Sequence, residues 1–174
     1  GHYASWEWSV ELQNHAKYKG LGVYKRLENR YFDKLVRDIR SKFGTSLIST
    51  KKIISLINEN EEKGNRTITD FLSDQSPRLT KEVYWGNFMG IEIPCFTGAE
   101  RLAKRLDLNI AYLKVTKIKR GYYEAEIMTL AENSKDYKDY ELTDMFLREV
   151  EKQIYDAPEY YFWTHKRWKH KGKK

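Results

Sequence analysis

Between Leu21 and Leu72 the apolar residues switch between short strand-like runs and stripes of helical spacing, and this alternation constrains the fold more than any other feature of the chain. Leu21 to Tyr24 reads as a buried strand after the helix breakers Gly20 and Gly22. Phe32, Leu35, Val36, Ile39 and Phe43 then fall at helical spacing, which predicts a helix over 31–43 with Arg37 and Arg40 on its polar side and Gly44 as its stop. Ser46 to Ile48 is a brief apolar segment. Thr50 would cap a third helix through Ile53, Ile54 and Ile57, and the period changes again at Arg66 to Leu72, which reads as a strand.

That strand stops at the polar turn Ser73-Asp74-Gln75-Ser76-Pro77. In open α/β sheets ligands gather beyond the carboxyl ends of strands, so Asp74 and Gln75 stand where a site is expected; an Asx-turn is the competing explanation. Tyr84 to Phe96 is aromatic, glycine-bearing and weakly periodic, suited to lining an apolar pocket or to folding over the core as a loop. Thr97 with Glu100 marks a capping box for a helix through Leu102, Ala103 and Leu106. Asn109 to Ile118 and Tyr122 to Leu130 form an antiparallel hairpin around Arg120-Gly121, and a long helix follows over 142–155, halted before Pro158.

The first residues carry the chemistry. His2 is followed five positions later by Glu7, a pairing suited to removing a proton from a hydroxyl. Positions five apart on a helix point about 140° away from each other, so the helix must begin between them. Ser5 as N-cap would leave His2 in the preceding loop and Glu7 in the first turn, where the helix dipole favours a carboxylate. An ordinary surface pair has the same spacing, so the motif gains weight only from the rest of the chain.

Composition adds bounds. The chain of 174 residues is predicted to form one domain. The net charge of +7 is concentrated at one end: residues 165–174 hold six Lys or Arg and no acid, which leaves 26 basic and 25 acidic residues elsewhere. Such a basic tail suits an anionic surface, a phosphorylated glycolipid or nonspecific nucleic-acid binding. The single cysteine, Cys95, permits no internal disulfide and reads as a small hydrophobe. No apolar run approaches the length of a membrane span, no signal peptide is visible, and neither a metal pattern nor a Gly-rich phosphate loop is present.

Taken in order, these stretches resemble the bacterial lipid A biosynthesis late acyltransferases, the lauroyl and myristoyl acyltransferase family. The resemblance rests on His2-Tyr3-Ala4-Ser5-Trp6-Glu7 as an H-x4-[DE] motif, then Gly22-Val23-Tyr24 with Asn29, Asp33 and Arg40, then Ser73-Asp74-Gln75, Phe88-Met89-Gly90, Thr97-Gly98 and Leu102-Ala103. It closes on Pro158-Glu159-Tyr160-Tyr161-Phe162-Trp163-Thr164-His165-Lys166-Arg167-Trp168-Lys169. Ala4-Ser5 replaces the Gly-Asn often found inside the first motif. The resemblance implies an α/β fold with a central mixed sheet flanked by helices, like that of glycerolipid acyltransferases. It also implies a chain truncated ahead of His2, since relatives carry a membrane helix there.

The implied activity is transfer of a fatty acyl group from an acyl carrier protein thioester to a hydroxyl of a phosphorylated glycolipid, at the cytoplasmic face of the bacterial inner membrane. His2 would be the general base and Glu7 its orienting partner. Arg40 would stand near Glu7 or an acceptor phosphate, Asp74, Gln75, His165 and Arg167 would bind substrate, and the tail would meet an anionic membrane surface. The acyl thioester is a co-substrate, and no metal, other cofactor or nucleic acid is expected. The same residues leave open another glycolipid or aminolipid acceptor, or a noncatalytic basic domain that binds nucleic acid or membrane.

Overall fold

The computed structural model describes residues 1–4 and 6–174, and of Trp6, Glu7 and Trp8 the backbone alone. The chain is mixed α/β and divides into two compact units, one of residues 7–71 and one of residues 1–6 with 72–174. Instead of one central sheet, the strands form three small ones.

In the 7–71 unit, a 3-10 turn Trp6–Glu11 leads into α1 (Leu12–His15) and β1 (Lys19–Val23). Helices α2 (Arg30–Arg40) and α3 (Ile53–Glu62) then connect β1 to β2 (Ser46–Ile48) and β2 to β3 (Thr67–Asp70). Each helix carries the chain back to the starting edge, so all three strands run parallel in the order β2-β1-β3. The glycines expected to break the first helix lie inside β1, where they admit close neighbours. A Cβ on Gly22 would stand 3.0 Å from Leu47 Cδ2, and one on Gly20 would stand 2.7 Å from the Gln13 amide oxygen.

Helix α2 begins where sequence predicts. Asn29 caps it by accepting hydrogen bonds from Tyr31 N and Phe32 N, each at 3.0 Å. Its burial differs from the expected one, because most of the apolar stripe stays exposed together with the polar side. Asp33 is its one buried residue, while Tyr31, Phe32, Leu35 and Ile39 are exposed. Asp33 Oδ1 accepts from Tyr24 Oη and Leu27 N, both at 2.8 Å, and so ties the helix to the loop that precedes it.

The larger unit holds the hairpin β4 (Tyr84–Phe88) and β5 (Ile91–Cys95), helix α4 (Gly98–Leu106), the hairpin β6 (Ile110–Lys119) and β7 (Tyr122–Ala131), and helix α5 (Glu141–Asp156). Its core joins Tyr3, Phe88, Ile93, Cys95, Tyr112, Leu147, Val150, Ile154 and Tyr161. Tyr84 to Phe96, expected to line an apolar pocket or to fold over the core as a loop, instead forms the first hairpin, and its Phe88 and Ile93 are fully buried in the core. Glu100 does not close the predicted capping box. Its carboxylate accepts from Tyr140 N, Thr143 N and Thr143 Oγ1 at 2.6–2.9 Å, so α4 satisfies donors at the start of α5 rather than its own. Among the described residues no helix is long and apolar enough to cross a membrane.

Candidate active site

The first residues are held against the closing segment of the same unit. Tyr3 and Tyr161 form an antiparallel bridge, Ala4 N donates to Tyr160 O at 2.8 Å, and Phe162 N donates to His2 O at 3.3 Å. Tyr3 Oη lies 2.8 Å from both Gln153 O and Ala157 O, joining Ala157 N and Tyr160 N, which donate to the same two carbonyls at the end of α5. Ala4 accepts a left-handed backbone, φ 51°, and the chain turns away immediately after the bridge.

This anchoring delivers His2 to Asp74. One oxygen of the carboxylate accepts the His2 backbone N–H at 2.9 Å and the other lies 2.8 Å from His2 Nδ1. Asp74 is 2% exposed and His2 9%. Burial alone would raise the Asp74 carboxyl, but the hydrogen bond from the His2 imidazole, the Gly1 ammonium, and the charge and backbone N–H of His2 pull it down to about 2. An ionised carboxylate can only accept, so a ring proton sits on Nδ1, and the tautomer that this selects carries its lone pair on Nε2. Gln75 Nε2 stands 3.4 Å from that nitrogen, and the Phe162 ring stacks on the imidazole at 6.0 Å between centroids. The result is an imidazole fixed in tautomer and orientation, with its basic nitrogen beside an amide.

The neighbouring residues form a second polar group. Ser76 N donates to His165 Nε2 at 3.1 Å, so that nitrogen is an acceptor and the ring is neutral. Burial holds the His165 pKa below its ordinary value, and the charges of Lys169 and Arg167 push the same way. Ser76 Oγ donates to Arg167 O at 3.1 Å, while Arg167 Nη1 donates to Pro94 O at 2.9 Å and approaches Ser76 Oγ at 3.3 Å.

Arg167 is fully buried, with its guanidinium 5.7 Å from the centre of the Phe88 ring. Its place corrects the expectation of a substrate contact: the side chain points inward and fastens the closing segment to the loop after Asp74 and to β5. The tail is therefore only partly a solvated charge, since Lys166, Lys169, Lys171, Lys173 and Lys174 are exposed while Arg167 is not.

The structure thus brings together His2, Asp74 and Gln75, with His165 of the closing segment hydrogen-bonded to Ser76, the next residue of that loop. Arg40 belongs to the other unit, where its guanidinium stands 5.6 Å from the centre of the Tyr24 ring. The side chain of Glu7, expected to orient His2, and the expected cap Ser5 lie outside the described residues. Two contributors were missed. Ser76 joins His165 to Arg167, and its place directly after Asp74-Gln75 was the available signal; Phe162 covers the imidazole, and nothing local distinguishes it from its aromatic neighbours. Cys95 is buried, and burial pushes its thiol up, which suits a core residue and not a nucleophile.

Fold and site together define a mixed α/β protein with a buried carboxylate hydrogen-bonded to an imidazole. The family model for bacterial lipid A biosynthesis acyltransferases matches residues 1–170, and the chain belongs to that family. Membership supports lipid acyl transfer as its function. A search of curated proteins gave no match.

Proposed function

We propose that this chain carries the acyl-transfer site of an enzyme that moves a fatty acyl group from an acyl carrier protein thioester to a hydroxyl of a lipid A precursor. His2 Nε2 takes the hydroxyl proton as the oxygen attacks the thioester carbonyl. The C–O bond forms, the C–S bond breaks, and the imidazolium returns the proton to the leaving thiolate, so no covalent enzyme intermediate is needed. Asp74 keeps the Nδ1 proton in place and stabilises the imidazolium during the step. The Gln75 amide, beside Nε2, orients the acceptor oxygen.

Glu7 stays in the proposal as a second acid near the base, and Arg40 as a contact for an acceptor phosphate. Lys166 and Lys169 supply the exposed cations of the closing segment, which would meet anionic lipid at the cytoplasmic face of the inner membrane. His165, neutral and hydrogen-bonded to Ser76, contributes by holding the loop that carries Asp74 and Gln75.

The observation that carries this reading is the 2.8 Å contact between His2 Nδ1 and Asp74 in a chain of an acyltransferase family. The test is transfer by the full-length protein in membranes, with acyl carrier protein thioesters and a panel of glycolipid acceptors, against His2→Ala. Loss of transfer in the variant, at unchanged protein level, supports the reading, and the panel identifies the acceptor. Transfer by His2→Ala at the parent rate would remove His2 as the base.

A further inference from the structure

Helix α2 leaves its apolar arc exposed together with its polar side. At about 100° per residue, Tyr31, Leu35, Ile39 and Phe32 cover an arc of about 100°, and Asp33 lies about 100° beyond its edge. A surface helix ordinarily buries its apolar arc and exposes the polar one. Here Asp33 is 3% exposed, whereas Tyr31 is 72%, Phe32 56%, Leu35 53% and Ile39 48% exposed. The exposure of the apolar arc has a local cause: Asp33 is drawn inward by Tyr24 Oη and Leu27 N, and this fixes the rotation of the whole helix. Four large apolar side chains in a row on one exposed face exceed the scattered singles normal for a soluble surface.

The surroundings of that face are basic. From Lys25 to Lys42 there are seven Lys or Arg and three acids. Of the acids, Asp33 is buried and Asp38 is paired with Lys34. The Arg30 guanidinium sits 4.7 Å from the centre of the Tyr31 ring and donates to its hydroxyl at 2.7 Å, a charge carried on an aromatic shoulder. Aromatic and aliphatic residues on one face, with Lys and Arg around it, are what a helix lying in the plane of a bilayer interface requires.

We infer that α2 is an in-plane docking helix for an anionic lipid bilayer, inserting Tyr31, Phe32, Leu35 and Ile39 at the headgroup boundary while its cations meet lipid phosphates. The inference deepens the proposed contact with an anionic membrane and rests on that reading. It moves the apolar part of the contact from the closing segment to the other unit.

The experiment uses the full-length protein with vesicles of phosphatidylethanolamine and phosphatidylglycerol, and vesicles of phosphatidylcholine as the neutral control. Leu35→Asp with Ile39→Asp, both on an exposed face, is expected to lower partitioning onto the anionic vesicles by about tenfold or more. Lys166→Gln with Lys169→Gln is the counterpart in the closing segment. Cys95 is buried, and with any cysteine outside residues 1–174 replaced by Ser, a Leu35→Cys variant takes an environment-sensitive thiol probe at one place. The probe is expected to shift to the blue and to be quenched by nitroxide lipids only with anionic vesicles, and an Asn58→Cys probe on α3 is expected to stay unchanged.

Unchanged partitioning of the double Asp variant overturns the inference. So does a Leu35 probe already shielded without lipid, which would show another stretch of polypeptide on the face, or one that shifts with protein concentration alone, which would show a second copy. Loss of partitioning only in the Lys166 and Lys169 variant would overturn the role of α2 and keep the membrane reading. No partitioning by the parent would end both.

Discussion

Each unit contains an aspartate buried almost completely, and the two aspartates are used differently. Asp33 and Asp74 are 3% and 2% exposed, and each accepts one backbone N–H and one side-chain donor. The donor to Asp33 is a tyrosine hydroxyl, which closes a loop on a helix. The donor to Asp74 is an imidazole whose other nitrogen stands beside an amide. Burial and hydrogen bonding make a fastener in either place; only the partner at Asp74 can go on to accept a proton from a substrate. A buried carboxylate is therefore not itself evidence of chemistry, and the group it holds decides.

The comparison breaks first at the base. His2→Ala is expected to lower the transfer rate by about 10²- to 10⁴-fold, the range general-base catalysis supplies. Asp33→Asn is expected to act on stability instead. The Leu27 amide and the Tyr24 hydroxyl hold the Asp33 carboxyl below its usual range, so the ionised form stabilises the fold. The variant should unfold a few degrees earlier by calorimetry, with the transfer rate of the remaining folded protein unchanged. A loss of rate without a loss of stability would show that the two aspartates are not divided as described.

The smallest expected effect concerns His165. Its folded pKa lies below the ordinary value near 6.5, so it binds fewer protons folded than unfolded. The stability it contributes is present above about pH 6.5 and is lost as pH falls through the folded value, when protonation removes the acceptor for Ser76 N. Melting midpoints of the parent should fall more steeply from about pH 7 to about pH 5 than those of His165→Gln. Asp74, pulled down to about 2, stays ionised over that interval and adds no slope.

Much of the fold was legible because local signals agreed with packing. Asn29 before Tyr31, the apolar period of α5 and the Gly121 turn between β6 and β7 each name their element. The β4–β5 hairpin was not legible, since its two-residue turn puts Met89 at φ 52° and Gly90 at φ 78°, where Asn-Gly or Asp-Gly is the usual signal. One distant and one local partner hold that turn: Met89 N donates to Glu151 on α5, and Gly90 N donates to Asn87 Oδ1. The exposed apolar face of α2 was hidden for a similar reason. Periodicity finds the apolar stripe, but its rotation is set by Asp33 and two partners in the preceding loop.

The site shows the same division. His2, Asp74 and Gln75 were each chosen from sequence, but Asp74 was assigned to substrate and stands on the imidazole, 72 positions away in the chain. No spacing rule reaches that far; the bridge between Tyr3 and Tyr161 is what closes the distance. Arg167 was expected to meet substrate as one cation of a basic run, and nothing in that run marks the one guanidinium that is turned into the core.

The most direct test of the central claim is the turnover of Asp74→Asn, measured with saturating acyl carrier protein thioester and acceptor and corrected for folded fraction. An asparagine can present its amide nitrogen to Nδ1 and favour the wrong tautomer, so kcat should fall by about 100-fold or more with KM nearly unchanged. Turnover within about twofold of the parent, with His2→Ala inactive, would show that the base works without the carboxylate that holds it.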